Sequence, residues 1–282
     1  MPGVFAQYDI DVSRMLSLSS SGRLDFHSEY GSFFSPRVSA LVRRGRWSSR
    51  LSAGTGFYSS TPNTEETEAA GLTRLAITRR LKAERGVSTS FDISRTDGPL
   101  SYTATLFGSR ITDAVHVERT TAYVLDNLTD PTTNVGAELL GTLRRKPFSV
   151  TTTYTYVQAR ETVERTRADV PLTPRRSAGV VGMWEAEGVG RLGIEWYYTG
   201  RQRLEENPYR AISKPYVIVG LLGERQFGHV RLFVNGENLT GVRQTRWDPL
   251  LRPDRATDGR WTVDAWAPLE GRNVNAGLRL GW

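Results

Sequence analysis

The sequence predicts an all-β chain folded as the antiparallel wall of a transmembrane β-barrel. Apolar and polar residues alternate with period two in segments of about ten residues, the length a tilted membrane strand needs. Tight turns take turns with long polar connections, the pattern of barrels with short turns at one rim and long loops at the other. Helical periodicity is scarce, and no run of about 18 apolar residues offers a transmembrane helix. A soluble sandwich also alternates, but its strands run about 5–6 residues.

Spans are expected near 4–12, 16–29, 35–44, 46–57, 83–95, 99–112, 132–145, 147–161, 175–187, 189–200, 214–227, 229–239 and 271–282. The early spans carry clear alternation at Val87, Phe91 and Ile93 against Ser88, Ser90, Asp92 and Ser94. Next along the chain, Leu100, Tyr102, Ala104 and Leu106 oppose Ser101, Thr103 and Thr105. Phe148, Val150, Tyr154 and Tyr156 oppose Ser149, Thr151, Thr153 and Thr155. Later, Leu192, Ile194, Trp196 and Tyr198 oppose Arg191, Gly193, Glu195 and Tyr197. The last span sets Val274, Ala276, Leu278, Leu280 and Trp282 against Asn273, Asn275, Gly277, Arg279 and Gly281. Many such strands in succession, with hydroxyl or charged residues on the second face, suit lipid outside and a polar lumen. The register predicts Leu192, Ile194, Trp196, Leu278 and Leu280 on the lipid face, and Arg191, Glu195, Asn275 and Arg279 on the lumen face.

Tight turns fall near Gly45, Thr96-Asp97-Gly98, Lys146-Pro147, Gly188 and Gly228. Long connections cover roughly 58–82, 113–131, 162–174, 201–213 and 240–270. Within 113–131, Val115-His116-Val117 and Ala122-Tyr123-Val124 read as an external hairpin rather than two further spans. Tyr30, Trp47, Phe57, Tyr156, Trp184, Tyr198, Tyr216 and Trp282 stand near strand ends, where an interfacial aromatic girdle needs them.

Composition narrows the function classes. The 282 residues are 38% hydrophobic and include 27 glycines and no cysteine, which suits export without a disulfide framework. The formal charge of +7 comes from arginines scattered singly, not from the clustered stripe that nucleic-acid binding requires, so no nucleic-acid partner is expected. Residues Met1 to Asp9 lack the basic and apolar regions of a signal peptide. His27, His116 and His229 are far apart and have no metal-ligand spacing, so no metal site is expected. His27 and Ser28 lie on opposite faces of one strand and cannot form a dyad. Glu65-Glu66 and Glu205-Glu206 read as solvated loop pairs, and no phosphate-binding or nucleophile-elbow motif occurs in a suitable context. Neither an enzyme nor a cofactor is expected.

The last eight residues, Asn275 to Trp282, match the terminal assembly signal of outer-membrane proteins through Asn275, Gly277, Leu280 and Trp282. An edge strand with an aromatic hook is suited to capture by strand pairing. Further stretches resemble the barrel of TonB-dependent receptors. They include Gly22-Arg23-Leu24-Asp25-Phe26-His27 followed by Phe34-Ser35-Pro36-Arg37-Val38, and Ser52-Ala53-Gly54-Thr55-Gly56-Phe57 with Pro62 beyond. Asn134-Val135-Gly136-Ala137-Glu138-Leu139 and Thr153-Tyr154-Thr155-Tyr156 with Pro171-Leu172-Thr173-Pro174-Arg175 continue the series. Phe233-Val234-Asn235-Gly236-Glu237-Asn238-Leu239 and Pro268-Leu269-Glu270-Gly271-Arg272 complete it, although Tyr58-Ser59-Ser60 departs from the family pattern.

The resemblance implies that residues 1–282 are the carboxy-terminal portion of such a barrel, about 13 of about 22 strands, without the plug domain or the energy-coupling box. It implies a receptor in the outer membrane for TonB-energised uptake of a scarce nutrient such as a ferric siderophore or cobalamin. As a fragment the chain is expected not to transport alone. The implied partners are outer-membrane lipid, the barrel assembly machinery, a small-molecule ligand such as a metal chelate, and the inner-membrane TonB complex through the missing parts. In this family external loops meet the ligand, so the candidates are Arg201, Arg203, Asn207, Tyr209 and Arg210 in one loop. Arg243, Arg246, Trp247, Arg252, Trp261 and Trp266 are the candidates in another. Arginine with aromatics suits an anionic, partly aromatic ligand; the same residues also read as a polar loop closed over its own aromatic cluster. A stand-alone all-β surface binding module or a smaller porin-like barrel is the alternative to transport.

Overall fold

The computed structural model describes residues 1–60, 75–77, 81–119, 121 and 123–280. Its strands are β1 (Gly3–Asp11), β2 (Leu16–His27), β3 (Gly31–Arg44), β4 (Trp47–Tyr58), β5 (Leu75–Ile77), β6 (Glu84–Asp97), β7 (Leu100–Thr112), β8 (Val115–Arg119) and β9 (Tyr123–Asn127). The chain continues through β10 (Thr132–Arg145), β11 (Phe148–Val163), β12 (Thr166–Asp169), β13 (Arg176–Ala186), β14 (Gly190–Thr199), β15 (Tyr216–Phe227), β16 (Val230–Glu237) and β17 (Asn273–Leu280). One antiparallel sheet runs in the order β1-β2-β3-β4-β6-β7-β10-β11-β13-β14-β15-β16-β17, with β12 paired to β11. Among the described residues β1 and β17 are its two edges, so the barrel wall is partial and unclosed. No helix is long and apolar enough to cross a membrane, which says nothing about crossing with strands.

The register converts the sequence alternation into two chemically different faces. Ile10, Leu18, Ala40, Leu51, Phe91 and Leu106 are successive cross-strand partners in one row. The adjacent row on the other face runs Arg50, Asp92, Thr105, Glu138, Thr155 and Ser177. Leu51 is 55% exposed and Leu278 is 63% exposed, an arrangement that water would penalise and hydrocarbon would not. Leu192 aligns through Gly223 and Val234 with Ala276, hence with Leu278 and Leu280. Arg191 aligns through Glu224 and Phe233 with Gly277, hence with Asn275 and Arg279. The polar row is internally paired: the Glu224 carboxylate accepts from Arg191 at 2.9 Å and meets Arg231 at 3.3 Å.

The tight turns all lie at one rim. Gly98 and Gly228 have φ of +58°, a left-handed backbone that any side chain would strain, and this closes each hairpin in two residues. The opposite rim carries the long connections, with one exception. β2 and β3 are joined there by residues 28–30 only, because the His27 Nδ1 accepts from the Glu29 and Tyr30 amides and Gly31 turns at φ +86°. β3 therefore starts earlier than the expected 35–44. The expected hairpin in 113–131 is present as β8 and β9, which pair with each other, and β9 also pairs with β5 to make a separate three-stranded sheet. Two short strands, β5 and β12, escaped the sequence reading.

Candidate functional site

At the long-loop rim the strands give way to a layer built by side chains. The connection after β16 is shaped at its neck by Asn238, whose φ of +48° turns the chain. Its Nδ2 donates to the carbonyls of Val242 at 2.8 Å and Glu270 at 3.1 Å, and its Oδ1 accepts from the Val242 amide at 2.9 Å. One asparagine thus ties together two ends of a loop more than thirty residues long. Further out, Gln244 is wholly buried; its Oε1 accepts from the Trp266 amide at 2.7 Å while its Nε2 donates to the Asp264 carbonyl at 3.1 Å. Gln202, from the connection after β14, donates to the Trp266 carbonyl at 2.8 Å. Trp266 itself is only 3% exposed and forms a small core with Leu204 and Ala267, against which Tyr216 and Trp247 pack.

Charged groups join this layer to the outer hairpins. Arg119 on β8 meets Asp264 at 2.9 Å and Glu205 at 3.9 Å. Arg260 reaches Asp258 at 2.5 Å, Glu206 at 2.8 Å and Asp264 at 3.3 Å. Arg203 donates to the Asp169 carbonyl of β12 at 2.9 Å and approaches Glu161 at 3.7 Å. Residues Arg160–Val163 pair with β12 rather than β13, so Glu161 lies in the outer hairpin beyond the β11–β13 ladder. Burial pushes the Glu161 carboxyl above its ordinary range, against the opposing pull of His116 and Arg203. Tyr123 is pushed up by burial and then by Asp258. Asp258 is also penalised by burial, but the Arg260 amide and guanidinium outweigh it and hold the carboxyl below the usual value.

The sequence candidates separate into two groups. Arg210 binds Asp248 at 2.6 Å and lies 5.7 Å over the Trp266 ring, while Trp247 stacks on Trp266 at 5.3 Å. Tyr209 donates its hydroxyl to the Leu251 carbonyl, Asn207 accepts from the Tyr209 amide at 2.9 Å, and Arg252 donates to the Glu206 carbonyl at 2.7 Å. These side chains, with Arg203, hold the layer together. Arg201, Arg243, Arg246 and Trp261 are exposed, and Arg255 lies 5.8 Å over the Trp261 ring. Glu205 and Glu206, expected to be solvated, pair with Arg119 and Arg260; Glu65-Glu66 lies outside the described residues. The sequence reading missed Arg119, Asp258, Arg260 and Asp264, which carry no local motif and meet only through the fold. Among the described residues no group of three or more His, Cys, Asp or Glu is placed to hold a metal ion. Of the terminal signal, Asn275, Gly277 and Leu280 lie on edge strand β17, and Trp282 lies outside the described residues.

A family model described as TonB dependent receptor-like, beta-barrel, matches residues 2–239. The chain belongs to the TonB-dependent receptor β-barrel family. No curated protein matches it. Among solved structures it is similar to the siderophore receptor of Acinetobacter baumannii, with TM-score 0.73 and 16% identity, covering 98% of this chain and 45% of that one. The ferric enterobactin receptor of Pseudomonas aeruginosa, a G324V mutant, gives TM-score 0.72 and 16% identity over 98% and 44%. The ferric-catecholate import receptor of E. coli K12 gives 0.68 and 12% over 98% and 44%. The TonB-dependent receptor chain therefore spans under half the length of these structures, and at such identities they share its fold.

Proposed function

We propose that this chain supplies the carboxy-terminal part of the wall of an outer-membrane receptor importing a metal chelate, a ferric siderophore in particular, with energy from the TonB complex. The observation that carries it is a family barrel wall whose long-loop rim presents exposed arginines and an exposed tryptophan above a braced polar layer. Arg201, Arg243, Arg246 and Trp261 are the proposed contacts of an anionic, partly aromatic ligand. Arg203, Tyr209, Arg210, Trp247 and Trp266 are proposed to hold the loops that present them. Outer-membrane lipid surrounds the apolar face, and β17 with Asn275, Gly277, Leu280 and Trp282 is the segment offered to the assembly machinery.

The test is binding of ferric enterobactin, followed by tryptophan quenching, to the purified full-length receptor carrying this wall. Arg201→Glu with Arg246→Glu is expected to weaken binding at least about tenfold, the loss of one charge-assisted hydrogen bond. Unchanged affinity in that double variant would reject the rim as the ligand face.

A further inference from the structure

The apolar face of the wall is not uniformly filled. Two adjacent rows cross β11, β13, β14, β15, β16 and β17. One runs Val150, Gly182, Ile194, Leu221, Gly236 and Val274; the other runs Phe148, Trp184, Leu192, Gly223, Val234 and Ala276. Glycine stands at three of these positions, Gly182, Gly223 and Gly236. A groove of about 740 Å³ lies between Trp184, Leu192 and Val274; Ile194 and Leu239 lean over Gly182 and Gly236, and Gly223 leaves its floor open. A second hollow of about 440 Å³ shares Trp184, Leu192, Gly223 and Val234 with it and continues to Leu232 and Arg225. Together they form one apolar channel that runs toward the short-turn rim and ends at a guanidinium.

Arg225 is suited to an external anion. By alternation it lies on the apolar face, and its guanidinium sits 5.8 Å over the Phe227 ring on that same face. The neighbouring carboxylate, Glu224, lies on the polar face and is taken by Arg191 and Arg231. An apolar channel with a cation at its mouth suits an anionic amphiphile, acyl chain inward and phosphate at the rim.

We propose that the groove over Gly223, between Trp184, Leu192 and Val234, seats one acyl chain of an anionic phospholipid from the leaflet at the short-turn rim, with its phosphate on Arg225. The site rests on the membrane reading of the wall. Gly223 gives it a clean lever. A Cβ there meets only the Leu192 Cδ2, at 3.8 Å, so a larger side chain enters the groove without backbone strain.

The test uses the chain in phosphatidylcholine vesicles doped with brominated phosphatidylglycerol or brominated phosphatidylcholine. The Trp184 signal is taken as the difference from Trp184→Phe. Brominated phosphatidylglycerol is expected to quench it at about fivefold lower mole fraction than the choline lipid, the factor one arginine near an anionic surface contributes. Arg225→Gln is expected to remove that preference while quenching itself persists. Gly223→Leu is expected to raise the mole fraction needed for either lipid. If Gly223→Leu loses heat-modifiability, Arg225→Gln alone decides. Quenching that ignores the headgroup in the unmodified chain would overturn the site yet keep the membrane reading, and no quenching by either lipid would overturn both. Loss of quenching on self-association, detected by crosslinking across Trp184, would overturn the lipid in favour of a second copy.

Discussion

The wall and the loop layer above it are held by opposite means. In the wall, backbone ladders join every neighbouring strand while large side chains such as Leu51 and Leu192 stay exposed. In the loop layer regular pairing shrinks to isolated bridges at Arg203–Ile212 and Leu251–Thr262, and side chains do the joining. Trp266, Gln244 and Asp258 are buried there to 3% or less. The wall leaves its apolar surface to a solvent other than water. The loop layer must make its own small interior, because it stands in water.

The largest effect expected is that of Trp266→Ala. Emptying a buried indole costs about 3–5 kcal/mol, and here the loss should stay in the loop layer. Limited proteolysis should cut within 200–215 and 240–270 while heat-modifiability of the wall is kept; simultaneous loss of both would break the comparison. Next comes Leu51→Arg on the apolar face, which should cost about 2–4 kcal/mol if that side chain faces mid-bilayer. Denaturant unfolding in vesicles measures it, and a change below about 0.5 kcal/mol, the ordinary scatter of surface substitutions, would place Leu51 in water.

The smallest effect is one of pH. Because Asp258 has a depressed folded pKa, its contribution is present above the unfolded value and is lost as pH falls through the folded one. Hydrogen exchange at the 256–264 amides should therefore be flat from about pH 8 to 5, after correction for intrinsic rates, and speed up only below about 4. Asp258→Asn should abolish that acid step. A step near neutrality would assign it to another group.

The wall was legible in the sequence because period-two alternation and the glycines at four of the tight turns, Gly45, Gly98, Gly188 and Gly228, are local signals. Leu100–Leu106 against Ser101–Thr105 needs no partner to be read. The strand start at Gly31 was missed because the short turn depends on the His27 imidazole, whose role appears only when the chain doubles back. Of the loop layer, the sequence supplied the arginines and tryptophans but not their division into exposed and structural sets. Arg210 and Arg246 look alike in sequence. Asp248 and Trp266, 38 and 56 residues away from Arg210, make them different. Asn238 sat inside a family-like stretch, and its role as the tie at a loop neck emerges only from the carbonyls of Glu270 and Gly271, more than thirty residues on, beside that of nearby Val242.

The two edges of the sheet carry one more consequence. β1 descends from the long-loop rim to the turn at residues 12–15, and β17 descends from the long-loop rim as well. Direction reverses at each step across an antiparallel sheet, so a closed ring of this kind needs an even tally. The thirteen strands on the path from β1 to β17 make an odd one. Brought together directly, the two edges would meet in parallel, and so would the edges of two copies set side by side about the membrane normal. Antiparallel closure is therefore a question of arithmetic as much as of affinity: whatever strands fill the seam must number one, three or another odd count, and the first of them must ascend.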